Sequence, residues 1–229
     1  MSKTLVIREI GRQSYEKILS QMKHFTNVRS ESTADEIWIL EHHPVFTQGQ
    51  AGNSDYILAS GDIPVVQSDR GGHVTFHGHG QITAYTLIDL KRANSKIFGL
   101  IDMIENSVIE TMALWNVEGH TKKASRGVFC ESGKKIASIG LRVRKGYTYH
   151  GVNFNIDMDM SPWSRINACG LGVEMTQLKS ETYIDVQLNE VQTSFREILT
   201  KNLGYNNHTD KITLTQSHVA LPSTTQWGE

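Results

Sequence analysis

The residues best suited to chemistry crowd into one short segment. Asp69-Arg70-Gly71-Gly72-His73-Val74-Thr75-Phe76-His77-Gly78-His79-Gly80-Gln81 holds four glycines and three histidines in thirteen residues. Glycine lets a backbone approach a bound molecule closely and adopt conformations that other residues avoid. The segment therefore reads as a ligand-binding loop, with an irregular hairpin whose glycines serve turns and bulges as the alternative. No Gly-Lys-Ser/Thr follows it, and it lacks the dinucleotide fingerprint, so ATP and NAD lose support. His73, His77 and His79 share parity and could face one way on an extended chain, as transition-metal ligands would. Gly78 and Gly80 argue against a regular strand there, and no nearby carboxylate completes a catalytic pattern, so no metal is assigned.

Two cysteines are the other candidates. Cys169 lies in Ser164-Arg165-Ile166-Asn167-Ala168-Cys169-Gly170-Leu171-Gly172, after a strand and beside glycine. A thiol has a reference pKa of about 8.5, so it becomes an effective nucleophile near neutrality when a cation favours the thiolate. Lys134, Lys135, Arg142, Arg144 and His150 are the available cations, and an inert buried cysteine is the alternative. Cys130, between Phe129 and Glu131 on an expected strand, reads as inert. Arg142, Arg144 and Lys145, with Lys122, Lys123 and Arg126, form a basic cluster that suits either a solvated strand face or an acidic protein partner.

These groups need a scaffold. Short strands are expected at Thr4 to Glu9, Glu36 to His42, Val65 to Gln67 and Ile82 to Leu90. Tyr15, Ile18, Leu19, Met22 and Phe25 recur at helical spacing in a helix running to about Arg29, and Ile101, Ile104, Val108 and Met112 do so within Phe98 to Trp115. Strands follow at Val128 to Cys130, Ile136 to Val143 and Tyr147 to Met160, the last pair joined by a turn at Lys145-Gly146. Val152, Phe154, Ile156 and Met158 alternate with Asn153, Asn155, Asp157 and Asp159, the pattern of a half-buried antiparallel strand. A closing helix spans Ile184 to Leu203, and a polar, loosely ordered tail follows Asn206. The expected class is α+β, a mixed and largely antiparallel sheet with packed helices.

Composition narrows the functions. The chain has 229 residues, 38% hydrophobic, with 23 basic against 24 acidic side chains and a formal net charge of −1. That is ordinary globular composition, large enough for one domain with its own core. Balanced charge disfavours nucleic-acid binding, which displaces counterions with an excess of Lys and Arg. Two cysteines are too few for a secreted disulfide scaffold, and no apolar run reaches the length of a membrane span. The expectation is a cytoplasmic protein with free thiols, bound to neither nucleic acid nor membrane.

Four blocks, taken together, resemble the lipoyl(octanoyl) transferase family. They are Arg70-Gly71-Gly72-x-x-Thr75-x-His77-Gly78-x-Gly80-Gln81, Lys135-Ile136-x-Ser138-Ile139-Gly140, His150-Gly151-x-x-x-Asn155 and Ile166-x-x-Cys169-Gly170. Their order and separation match over nearly the whole chain, from first strand to last helix. The resemblance implies the catalytic-domain fold of biotin and lipoate protein ligases, as a single domain over 1–229 with its core at about 31–208 and a tail at 209–229. It implies an octanoyltransferase of lipoate biosynthesis that needs no cofactor. The donor would be octanoyl-acyl carrier protein. The acceptors would be lysines on the lipoyl domains of 2-oxoacid dehydrogenases and on the glycine cleavage H protein.

By the same resemblance Cys169 matches the nucleophile that becomes an acyl thioester, and Lys135 the lysine that lowers its pKa and moves protons. Arg70, Gly71, Gly72, His73, Val74, Thr75, Phe76 and His77, Ser138, Ile139 and Gly140, and Gly151, Val152 and Asn153 match the acyl-binding wall. The chain departs from the family at His79 and Ala168, where proline is usual, which removes a fixed φ at each turn. An ATP-dependent lipoate or biotin protein ligase of the same fold is the rival. It would need an adenylate site and would not need Cys169.

Overall fold

Strands that bury side chains on both faces need a layer on each side, and the central strands here do so. The structure is a computed structural model that describes residues 3–122, 125–168, 172–206 and 211–216. In chain order the elements are β1 (Thr4–Gln13), α1 (Tyr15–Val28), β2 (Asp35–His42), β3 (Val45–Gln48), β4 (Val65–Gln67), β5 (Val74–His77), β6 (Gln81–Leu87) and α2 (Ile97–Ala113). They continue with β7 (Gly119–Lys122), β8 (Ser125–Cys130), β9 (Lys135–Arg144), β10 (Tyr147–Asn155), α3 (Leu178–Glu181), α4 (Leu188–Asn202) and β11 (Lys211–Gln216).

Eight strands form one sheet in the order β11-β1-β2-β6-β10-β9-β8-β7, and a smaller sheet runs β4-β3-β5. β1 pairs parallel with β2 and β11, while every pairing from β2 across to β7 is antiparallel. The α+β expectation holds.

Alternation sorts the side chains. Ile37, Ile39, Ile82, Ala84, Val152 and Phe154 meet Leu100, Ile104, Val108 and Met112 of α2 and Val191, Phe195 and Leu199 of α4. On the other face Trp38, Leu40, Tyr85 and Tyr149 meet Tyr15, Ile18, Leu19 and Met22 of α1. A third cluster, with Phe46, Phe76, Trp163 and Ile166, lies under the small sheet. Burying each large apolar side chain contributes about 1.5–3 kcal/mol, so the helices are held mainly by these contacts.

Three expectations change. β10 is buried on both faces and ends at Asn155 instead of Met160. Its polar positions are not solvated: Asn155 donates to Thr176 O (2.9 Å) and accepts from Gln81 Nε2 (2.9 Å). The glycine-rich segment contains a true strand, β5, which pairs with β3. The tail is not wholly loose, because Lys211–Gln216 adds a parallel edge strand beside β1. Hydrophobic periodicity cannot reveal an edge strand whose pairing partner lies some two hundred residues earlier. The Lys145-Gly146 turn forms as expected, with φ of 53° and 82°, the backbone that a two-residue hairpin requires.

Candidate active site

Lys135 opens β9, and its side chain is only 2% exposed. A buried ammonium is costly unless it is hydrogen-bonded. Here Nζ donates to Ser125 Oγ (3.2 Å) and lies 5.4 Å from the centre of the Phe129 ring. Its alkyl chain passes Gly127, where a methyl group would stand 2.6 Å from Lys135 Cε and 2.2 Å from Ala137 O. The backbone of Lys135 is held by the segment that follows Gly172: its N–H donates to Glu174 O (2.8 Å), its carbonyl accepts from Thr176 N (2.9 Å), and it bridges to Met175. Cys169 lies outside the described residues, with Gly170 and Leu171; Lys123 and much of the tail do also.

A cavity of about 560 Å³ adjoins Lys135. Twelve of the fourteen residues matched to the acyl wall line it: Arg70, Gly71, Gly72, His73, Val74, Thr75, His77, Ser138, Ile139, Gly140, Gly151 and Asn153. Phe76 and Val152 do not. On a strand, neighbours point to opposite faces. Phe76 accordingly packs on Phe46 and Trp163, and Val152 enters the core under α2 and α4.

Two glycines shape the cavity floor. Gly140 and Gly151 are direct partners across β9 and β10. The Arg70-Gly71-Gly72 loop crosses so close that a methyl on Gly140 would stand 2.8 Å from Gly71 O, while one on Gly151 would stand 2.0 Å from Ala84 O of the neighbouring strand β6. Gly71 N–H donates to Leu141 O (3.1 Å), which ties the loop to the sheet. Arg70 holds the loop from below, donating to Thr47 O (2.7 Å) and Thr47 Oγ1 (2.9 Å).

Sequence reasoning missed part of the lining, notably Tyr15, Tyr85, Ile97, Ile101, Ser125 and Arg126. The sequence offers His150 as a candidate cation and as the head of the His150-Gly151-x-x-x-Asn155 block. His150 has a positive φ of 63°, uncommon for a bulky residue and a form of strain that gathers at functional sites. The turn stacks its ring on Tyr149, with centroids 4.9 Å apart. Both converge on Asp69: the Tyr149 hydroxyl donates to Oδ2 (2.7 Å) and His150 Nε2 lies 2.9 Å from Oδ1. Burial pushes the His150 pKa down despite the carboxylate. Burial would raise that of Asp69, but hydrogen bonds from His150 and Tyr149, with the Lys23 charge, hold it well below the usual range. The geometry suits a His150 Nε2–H that donates to the Asp69 carboxylate.

The other candidates do not assemble into a second centre among the described residues. Cys130 is buried, and burial followed by the Glu181 charge pushes its thiol up to about 12. The three histidines diverge: His73 lines the cavity and contacts Ala51 O (2.6 Å), His77 is buried between Thr47 and Gln81, and His79 is exposed beside His43. Among the described residues no group of three or more His, Cys, Asp or Glu is placed to hold a metal. Within the basic cluster Arg126 pairs with Asp102 (2.9 Å) and Glu105 (3.2 Å), Arg142 donates to Gln50 (2.6 Å), and Lys122 lies over the Phe129 ring. Ala168, one of the two departures, is buried in the third cluster.

A mixed sheet layered by helices, with a glycine-rich loop over a buried lysine, places the molecule in the lipoate-ligase class of folds. A solved lipoate protein ligase from Thermoplasma acidophilum superposes with a TM-score of 0.69 at 15% identity, covering 95% of this chain and 87% of that one. Residues 14–200 match the lipoyl protein ligase A/B catalytic domain. The octanoyltransferase of Aliivibrio fischeri is 52% identical over 179 residues, 78% of this chain and 79% of the relative. That of Shewanella piezotolerans is 47% identical over 208 residues, 89% and 94% respectively. The chain belongs to the octanoyltransferase family and is an acyltransferase. Among the described residues no helix is long and apolar enough to cross a membrane.

Proposed function

We propose that this acyltransferase carries an octanoyl group from the thioester of acyl carrier protein to Cys169, and from Cys169 to a lysine ε-amine on lipoyl domains and the H protein. The observation that carries the reading is the cavity that joins buried Lys135 to a glycine floor. From Ser125 on β8, past Gly140 and Gly151, to Tyr85 on β6 is three strand spacings, about 14 Å. An extended eight-carbon chain built from bonds of about 1.5 Å spans roughly 9 Å. The acyl chain lies across the strands, with its carbonyl at the Lys135 end and its methyl end toward Tyr15, Tyr85 and His77. Burial at about 0.8 kcal/mol per CH₂ then makes chain length a basis for selection.

Chemistry runs in two half-reactions. The Cys169 thiolate attacks the donor carbonyl carbon, a new C–S bond forms, and the donor thiol departs. Lys135, as an ammonium, favours the thiolate and supplies a proton to the leaving sulfur. The acceptor amine then attacks the acyl-enzyme, the C–N bond forms, and the Cys169 sulfur departs as Lys135, now neutral, takes the amine proton. Met175, six residues beyond Cys169, bridges to Lys135, which supports pairing the two. Thioester exchange is nearly isoenergetic and amide formation runs downhill, so neither half requires a nucleotide. Exposed Arg142, Arg144 and Lys145 suit docking of acidic carrier and acceptor domains.

Intact-protein mass spectrometry after mixing with octanoyl-acyl carrier protein tests the reading. The expected result is one added octanoyl mass that maps to Cys169 and is discharged by a lipoyl domain without ATP. A strict ATP requirement would favour the ligase alternative. Full transfer by Cys169→Ser, or an adduct on Cys130, would overturn the assignment.

A further inference from the structure

The acid–base lysine is set in place by a buried carboxylate on a different layer of the fold. Glu105 lies in the middle of α2 and is 2% exposed. A buried carboxylate in a helix facing an apolar core is costly unless its oxygens are satisfied, and both are. Oε1 accepts from Gly127 N (2.8 Å) and Oε2 from Arg126 Nη1 (3.2 Å). These two residues form a break in β8: against β7 the register passes from Thr121↔Val128 to Lys122↔Ser125, so Arg126 and Gly127 bulge out of the ladder. A bulge leaves backbone polar groups unpaired and re-aims the flanking side chain. Glu105 captures the freed N–H of Gly127. The flanking side chain is that of Ser125, whose Oγ accepts from Lys135 Nζ (3.2 Å). Gly127, at φ 127°, leaves the gap through which the Lys135 alkyl chain runs.

We propose that Glu105 is a positioning residue for Lys135: its carboxylate pins the Arg126-Gly127 bulge, and the bulge sets both the channel for the lysine chain and the Ser125 acceptor at its end. The inference rests on Lys135 acting on the Cys169 thiol, as above. Arg126 balances the carboxylate charge and is itself shared with Asp102 (2.9 Å). The hydrogen bond that fixes the bulge backbone is the one from Gly127 N–H, and an amide oxygen at position 105 can accept it, while Arg126 keeps Asp102.

The experiment combines steady-state octanoyl transfer with the pH dependence of Cys169 alkylation by iodoacetamide, for wild type, Glu105→Leu, Glu105→Gln, Lys135→Met and the Leu/Met double variant. Glu105→Leu is expected to lower kcat about tenfold with KM for octanoyl-acyl carrier protein nearly unchanged. Its alkylation midpoint should move toward the free-thiol value of about 8.5. Glu105→Gln, which keeps the acceptor for Gly127 N–H, should restore both. In the Lys135→Met background Glu105→Leu should add nothing, because a residue acting through Lys135 has nothing left to position. If Lys135→Met is harmless, the parent reading and this one both fall. If Lys135→Met is damaging but Glu105→Leu leaves kcat and midpoint unchanged, or adds its full loss in the double variant, only the positioning role falls. Should Glu105→Leu not fold, Ser125→Ala carries the test, and an unchanged alkylation midpoint there overturns the proposal.

Discussion

Gly140 shows how little room a single position has around the cavity. It faces Gly151 across the hairpin and Gly71 above, and an added methyl would meet a backbone oxygen, which cannot swing aside as a side chain can. Gly140→Ala is expected to cost about 1–3 kcal/mol of stability from overpacking. Lifting the Arg70–Gly72 loop by a fraction of an ångström to an ångström should lower octanoyl transfer on the order of a hundredfold. Urea titration and kcat/KM with octanoyl-acyl carrier protein measure the two effects, and transfer within twofold of wild type would show that the loop does not shape the acyl site. At this scale the sequence was readable where chemistry is local: a glycine beside a glycine, a lysine at the head of a conspicuous strand. It was not readable at His150, because the positive φ that turns its ring onto Tyr149 and Asp69 has no signature in a non-glycine residue.

Among the elements, one junction ties four of them together. Arg29 follows the last turn of α1, and its guanidinium and the Asp35 carboxylate at the start of β2 are both fully buried, 2.7 Å apart. Asp35 also accepts from Asp89 N after β6 (2.7 Å) and from the Tyr205 hydroxyl just beyond α4 (2.7 Å), and it forms an ion pair with Arg92 Nη1 (3.0 Å). Removing one partner of a buried pair leaves an uncompensated charge, which typically costs about 3–5 kcal/mol. Asp35→Ala should therefore lose that much in chemical denaturation, and a loss below about 1 kcal/mol would mean that the surrounding backbone carbonyls suffice for Arg29. Most elements are readable from the residue pattern, since α1, α2 and α4 carry apolar stripes, β2 holds the apolar run Ile37–Leu40, and β6 is rich in apolar and β-branched residues. The short strands β3, β5 and β7 have no signature in the residue pattern. Each is four residues long, and pairing across the sheet, not local pattern, makes it a strand.

The whole molecule buries three imidazoles around one end of the cavity. Burial pushes the His42 pKa down to about 4 and those of His77 and His150 below their ordinary value of 6.5, with neighbouring positive charge adding to the effect. Each binds its proton less tightly in the folded than in the unfolded state, so below about pH 6.5 the unfolded chain takes up more protons. Stability is then full above pH 6.5 and is lost as pH falls toward 4, with His42 alone accounting for roughly 3 kcal/mol across that window. Urea midpoints at pH 7.5 and 5.0 should differ clearly, and His42→Gln, which keeps a hydrogen-bonding group without titrating, should flatten the difference. Equal midpoints in the wild type would show that the imidazoles reach solvent.

The sequence alone carried the class of fold, the order of the four blocks and the separation of Cys169 from Cys130 as candidates, because these depend on residue type and on neighbours in the chain. It also carried the helices and the central strands, whose burial writes a period into the residues themselves. Tertiary structure decided which side chains share the cavity. Tyr85 meets Gly151 across sixty-six positions of chain, Asp69 meets His150 across eighty-one, and Glu105 meets Gly127 across twenty-two. Such pairings are set by strand register and by the packing of α2 on the sheet. Many alternative registers satisfy the same local pattern, and only the folded core selects among them.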